Sequence, residues 1–252
     1  MRLPLRRLSD AKLLRTYHAA RTSLDSFRRA TQRHGSLIQS WVAGASVVAL
    51  DHYPEGGVVD RRRGSQFFYH SHRAGDAEHG HLHLFWHATR GGRRRRLGPP
   101  PGPGIEEWKR SAPSHLIAIG LNARGLPVSL FSVNHWVTDG HWFDAETTLG
   151  MIRRFEVKEV SGHTDSCAWL TAFVRLYEPV IARVLHARDR RLGAQPSQER
   201  ALNDRRIEVV SSARLDWIAD LNYIERELTS RGLAPATGPT LPTPDPEPAR
   251  WQ

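Results

Sequence analysis

Residues 78–87 read "EHGHLHLFWH", and residues 67–72, a few positions upstream, read "FFYHSH". How these two segments fold decides the architecture. In an extended strand, side chains two apart share a face, about 6.5 Å apart along the chain. His79, His81 and His83 then point one way, with His87 further along. Leu82, Leu84 and Trp86 point the other way, toward an apolar core. By the same rule His70 and His72 share a face. His79, His83 and His87 also fit one face of a helix. Gly80 and the aromatic content of the segment weigh toward the strand.

Two such strands joined through "RAGDAE" form a hairpin. One register sets His72 opposite His79 and His70 opposite His81. The other pairs His72 with His81 and His70 with His83. Directly opposed Cβ atoms lie about 4.5–5.5 Å apart, so either register gathers four imidazoles on one patch. Strand packing alone does not require such a patch, whereas coordination by neutral imidazole explains it. His79 to His83 spans about 13 Å along a strand, too far for one ion to use all three histidines. Three or four ligands are expected from His70, His72, His79, His81 and His83. The ion would be a divalent transition metal: Fe, Zn or Cu. Glu55 and Glu78 are candidate catalytic carboxylates. Glu78 could equally be a ligand or a partner of an imidazole N–H. His52 and His115 are outer candidates, His115 because it begins a strand.

Outward from this segment, residues 9–34 read as a helix with Ser9 or Asp10 at its start and Gly35 at its end. Residues 45–50 read as a strand and "DHYPEGG" as a turn. Residues 65–72 and 79–88 are the histidine strands. Residues 91–104, rich in Pro and Gly, read as a surface loop. "HLIAIGLN", "ARGLP" and "VSLFSVNHW" form the clearest hairpin. Residues 144–155 suggest a short helix, and 165–191 and 197–230 suggest two longer ones, with Pro179 kinking or restarting the first. The expected fold is α+β: an N-terminal helix, a largely antiparallel sheet of about five strands, and C-terminal helices. One domain would cover 1–232, and 233–252 would be a Pro-rich disordered tail.

The chain of 252 residues carries a net charge of +10. A basic chain invites a nucleic-acid reading, with Arg61–Arg63 and Arg93–Arg96 as contacts. Only three of its 36 basic residues are lysine, an arginine bias that a GC-rich genome explains equally well. The composition therefore weighs against nucleic acid. One cysteine, Cys167, excludes an intrachain disulfide and cysteine-rich zinc motifs. The N-terminus lacks the continuous apolar run of a signal peptide, and the best apolar run, Trp41 to Leu50, is too short to span a bilayer. A soluble, cytoplasmic protein without a membrane partner is expected.

Two resemblances add to this reading. Gly64, His70, His72 and Glu78 follow the order of the first cupin metal motif, which implies a metal held by those histidines and the glutamate inside a β-barrel. The gap to Glu78 is longer than in that motif, the following glycine is misplaced, and the second motif is absent. More broadly, "DHYPEGGVVD", "GSQFFYHSHR", "EHGHLHLF", the 115–142 segment and "WLTAFVRLYEPVIARVL" resemble an uncharacterised bacterial family. That likeness covers about residues 41–190 and implies no activity.

The protease, hydrolase, kinase and dehydrogenase fingerprints His-Glu-x-x-His, Gly-x-Ser-x-Gly, Walker and Gly-x-Gly-x-x-Gly are absent. The remaining readings are a non-haem metal-dependent enzyme acting on a small molecule (oxidoreductase ahead of hydrolase), a metal storage, delivery or sensing protein, and a basic nucleic-acid-associated protein.

Overall fold

The two histidine segments are adjacent strands of one antiparallel sheet. The structure, a computed structural model, describes residues 3–71, 78–87, 113–158 and 160–233. The chain runs through α1 (Asp10–His34), α2 (Gln39–Val42), β1 (Tyr53–Asp60), β2 (Ser65–His70), β3 (Gly80–Trp86), β4 (Ser114–Leu121) and β5 (Pro127–Val133). It continues through α3 (His135–Thr138), α4 (Ala145–Ile152), α5 (Thr164–Gly193), α6 (Gln198–Asn203), β6 (Val209–Arg214) and α7 (Trp217–Ser230). The fold is α+β, as the sequence implies, with six strands among the described residues, close to the five or so expected. The strands lie in sequence order, β1 to β6, and every neighbouring pair is antiparallel. This is an open meander with β1 and β6 at its edges, not the barrel of the cupin resemblance.

Alternation divides the sheet into two chemically different faces. Phe67, Tyr69, Leu82 and Leu84 are fully buried and join the main apolar core. Trp41 on α2 fills that core, its ring 5.9 Å from Phe67, 6.0 Å from Tyr69 and 6.3 Å from Trp169 of α5. Helix α1 packs beside α5 through Leu13, Leu24 and Ala30. At its last turns Arg29 and Arg33 donate to Asp165 at 2.8 and 2.6 Å. Both arginines are more than half exposed, so the apolar stripe holds the helix and the ion pairs set its register. The opposite face carries Phe68, His70, His81, His83 and Phe85. Strand β3, flanked on both sides, is buried at every position.

Three sequence expectations are corrected. Residues 45–50 are not a strand: Leu50 has φ 72° and Val48 and Leu50 are 54% and 62% exposed. The first strand instead lies where a turn was expected. The β1–β2 register shifts between Tyr53 and Val58, and this irregularity absorbs Gly56 and Gly57. Gly57 has φ 73°, and a Cβ there would lie 2.8 Å from the Phe67 carbonyl oxygen, so the position requires glycine. Finally, residues 197–230 are not one helix. They hold α6, β6 and α7, and β6 exists because it pairs with β5, setting Ala213 against Leu130. Pro179 lies inside α5, which continues through it.

His72, the 91–104 loop, Arg93–Arg96 and residues 234–252 lie outside the described residues. Of the other basic run, Arg63 is committed to Asp60 at 3.2 Å and Glu156 at 2.9 Å. Among the described residues no helix is long and apolar enough to cross a membrane.

Candidate metal centre

The β2–β3 register sets His70 directly opposite His81 and Phe68 opposite His83. The first of the two expected registers is therefore the one adopted for His70, and His83 approaches diagonally. The Nε2 atoms of the three imidazoles form a triangle: 2.7 Å from His70 to His81, and 3.1 Å from His83 to each of the others. All three side chains are buried. This group could hold a metal ion.

Hydrogen bonding alone satisfies such a triangle badly. Each Nε2 carries either a proton or a lone pair. Donor and acceptor can alternate around an even ring but not around three sites. At least one edge must then set proton against proton or lone pair against lone pair. A cation that accepts all three lone pairs removes the conflict. His70, His81 and His83 would hold such an ion through their Nε2 atoms, at the usual metal–nitrogen distance of about 2.0–2.1 Å.

Outer partners prepare two of the rings for that role. Glu78 Oε1 lies 2.8 Å from His81 Nδ1. An ionised carboxylate only accepts, so Nδ1 carries the proton and the Nε2 lone pair faces the triangle. Glu78 Oε2 in turn accepts from the Ser129 hydroxyl at 3.1 Å. His83 Nδ1 meets His115 Nε2 at 3.0 Å. Burial, then the Arg188 guanidinium and His81, pushes the His115 pKa down to about 3. A neutral His115 can accept from His83 Nδ1–H and turn the second lone pair inward. Arg188 is itself buried, donating to the Phe143 carbonyl and Asp189 at 2.8 Å each and lying 4.6 Å from the Trp142 ring centroid.

Phe68, Phe85 and Phe131 wall the imidazoles, at ring separations of 5.5 Å (Phe68–His83), 5.4 Å (Phe85–His115) and 5.1 Å (Phe131–His81). His52 stacks on Phe68 at 3.8 Å and comes 5.8 Å from the His70 ring. Burial lowers its pKa, partly offset by Asp51.

Two other expected site residues, His79 and Glu55, lie elsewhere, as does the neighbouring His87. His79 precedes β3, and its Nδ1 meets the Tyr69 hydroxyl at 2.6 Å. His87 Nε2 bonds the Gln66 side-chain oxygen at 2.6 Å. Glu55 is exposed in the edge strand β1.

Gly120 and Ser129 were missed by sequence reasoning. A Cβ on Gly120 would collide with Glu78 Oε2 and Ser129 Oγ and lie 2.8 Å from the Glu78 carboxyl carbon. Gly120 thus clears the space in which Glu78 crosses the sheet to His81. A glycine inside the solid apolar run "LIAIGL" is the available signal for such a close approach. Gly120→Ala is expected to push Glu78 off His81 and weaken metal affinity about tenfold, the lower end of the cost of losing an outer partner. Competition with a chelating dye, with circular dichroism to check the fold, measures this. Unchanged affinity would show that the cradle does not matter.

A family described as a domain of unknown function, DUF6969, matches residues 17–215. The chain belongs to this family. The matched span contains all six strands and every residue of the triangle, so the candidate centre lies within the family's own domain. No curated protein and no solved structure matches the chain.

Proposed function

We propose that the protein is a metal-dependent enzyme, an oxidoreductase ahead of a hydrolase, with His70, His81 and His83 as ligands. The observation that carries this reading is the frustrated Nε2 triangle, with distances of 2.7, 3.1 and 3.1 Å. Three neutral nitrogen donors suit Fe, Zn or Cu. Three protein ligands are the number typical of a catalytic site, where a structural site has four. A cavity of about 390 Å³ borders His81, which favours an enzyme over storage or delivery. A bound ion would supply Lewis acidity or electron exchange. Glu78 and His115 hold the ring protons outward, and the phenylalanines exclude water around the imidazoles.

Elemental analysis of the purified protein tests the ligand set. One transition-metal ion per chain is expected, falling to background in the His70→Ala/His81→Ala double variant. Metal retained by the double variant overturns the assignment. Oxygen uptake by iron-loaded protein in the presence of small organic substrates favours oxidation. Hydrolysis by zinc-loaded protein without such uptake favours the hydrolase.

A further inference from the structure

The cavity beside His81 is framed by Glu78 on the approach to β3, Ser129 and Phe131 on β5, and Val209, Ser212, Ala213 and Arg214 on β6, with Glu208 just before β6. From its place in the sheet we infer that this cavity binds a small carboxylic acid with an apolar body, Arg214 taking the carboxylate and Phe131 with Val209 taking the body. The inference rests on the metal reading above and names the ligand class of that same site.

Three observations lead there. Position comes first. Ser129 is the register partner of Arg214, and Ser129 bonds Glu78, which bonds His81. The cation therefore stands one strand away from the carboxylate that orients a ligand imidazole. A molecule held at Arg214 and extending along Phe131 approaches the metal side of the cavity, because Phe131 packs edge-on against His81 at 5.1 Å.

Shape comes second. At about 390 Å³ the cavity lies near the small end of ligand pockets. It suits a body of one ring or a short branched chain. Phe131 and Val209 give it an apolar wall beside the polar Ser129, Ser212 and Arg214.

Charge comes third. With the imidazoles counted as neutral, Arg214 against Glu78 and Glu208 leaves the lining with one negative charge. Three neutral nitrogen ligands do not cancel the charge of a divalent ion, so metal binding reverses the lining to one positive charge. Affinity for an anion should then switch on with the metal. A guanidinium has five N–H donors and the planar fork that fits a carboxylate, so Arg214 can serve a ligand and a protein neighbour together.

The test uses the full chain loaded with cobalt(II), whose visible absorption reports its surroundings, titrated with benzoate. A saturable spectral change is expected, at least about tenfold weaker with the neutral isostere benzamide, and no benzoate binding by calorimetry to metal-free protein. Arg214→Gln should weaken benzoate at least about tenfold while keeping one cobalt per chain. Ser212→Phe, which fills the cavity, should do the same. Full cobalt occupancy with no benzoate response, or equal affinity in both variants, overturns the inference and leaves the metal reading standing. Failure of cobalt to bind overturns both.

Discussion

Replacing His81 alone with alanine should lower divalent-metal affinity at least about a hundredfold, whereas His79→Ala should change it less than about threefold. The two residues are two positions apart and were indistinguishable as candidates in the sequence. In the fold, His81 Nε2 lies 2.7 Å from His70 and 3.1 Å from His83, while His79 is engaged with Tyr69. Loss of an outer partner costs 10–100-fold in metal affinity. His81→Ala removes a ligand and also strips Glu78 of the ring it orients, so its effect should exceed that range. His83→Ala should match it, since that ring closes the triangle and ties it to His115. Calorimetric titration of the single variants reads the difference directly. Equal losses at positions 79 and 81 would mean that the ion is not held by the triangle.

The second large effect is on acid stability. His115 titrates near 6.5 when unfolded and near 3 in the folded chain. Between those values the unfolded state binds more protons. Folding stability from this group is therefore complete above pH 6.5 and drains away as pH falls toward 3. At about 1.4 kcal/mol per pH unit, the loss at the acid end is on the order of 5 kcal/mol. The cause is burial, reinforced by the Arg188 cation on α5 and by His81. Denaturant unfolding of metal-free protein from pH 7 to pH 4 measures the slope. His115→Gln keeps an acceptor for His83 but cannot take up the proton. Its slope should be shallower than wild type by about 1 kcal/mol per pH unit over the lower half of that range. Parallel slopes would remove His115 as the source.

The histidine hairpin was legible because its signal is local. Period-two alternation placed His70, His81 and His83 on one face, and a short connection limited them to two registers. The β4–β5 hairpin and α1 were legible for similar reasons, through a glycine-containing turn and a capped apolar stripe. Strand β1 was hidden by Pro54, Gly56 and Gly57, which break regular patterns locally yet fit a bulged edge strand. Strand β6 was hidden because "VVSSAR" has little pattern of its own: only Val210 and Ala213 are buried, and β5 supplies the rest. The apolar run at 45–50 misled because hydrophobicity there does not mark burial. At the site, His115 was visible as a strand-initial histidine. Gly120 and Ser129 act through space across two strands, so no pattern along the chain ties them to Glu78.

The meander has a bearing on the order in which the protein matures. His70 and His81 are separated by 11 positions, and all three imidazoles belong to one hairpin. Closing so short a loop carries little entropy, and hairpins form within microseconds. Once β3 has left the ribosome, a nascent chain already has all three imidazoles within reach, long before α5 is synthesised. On the metal reading proposed above, ion capture can then precede docking of the helices, with His115 and Arg188 arriving afterwards to close over the three imidazoles.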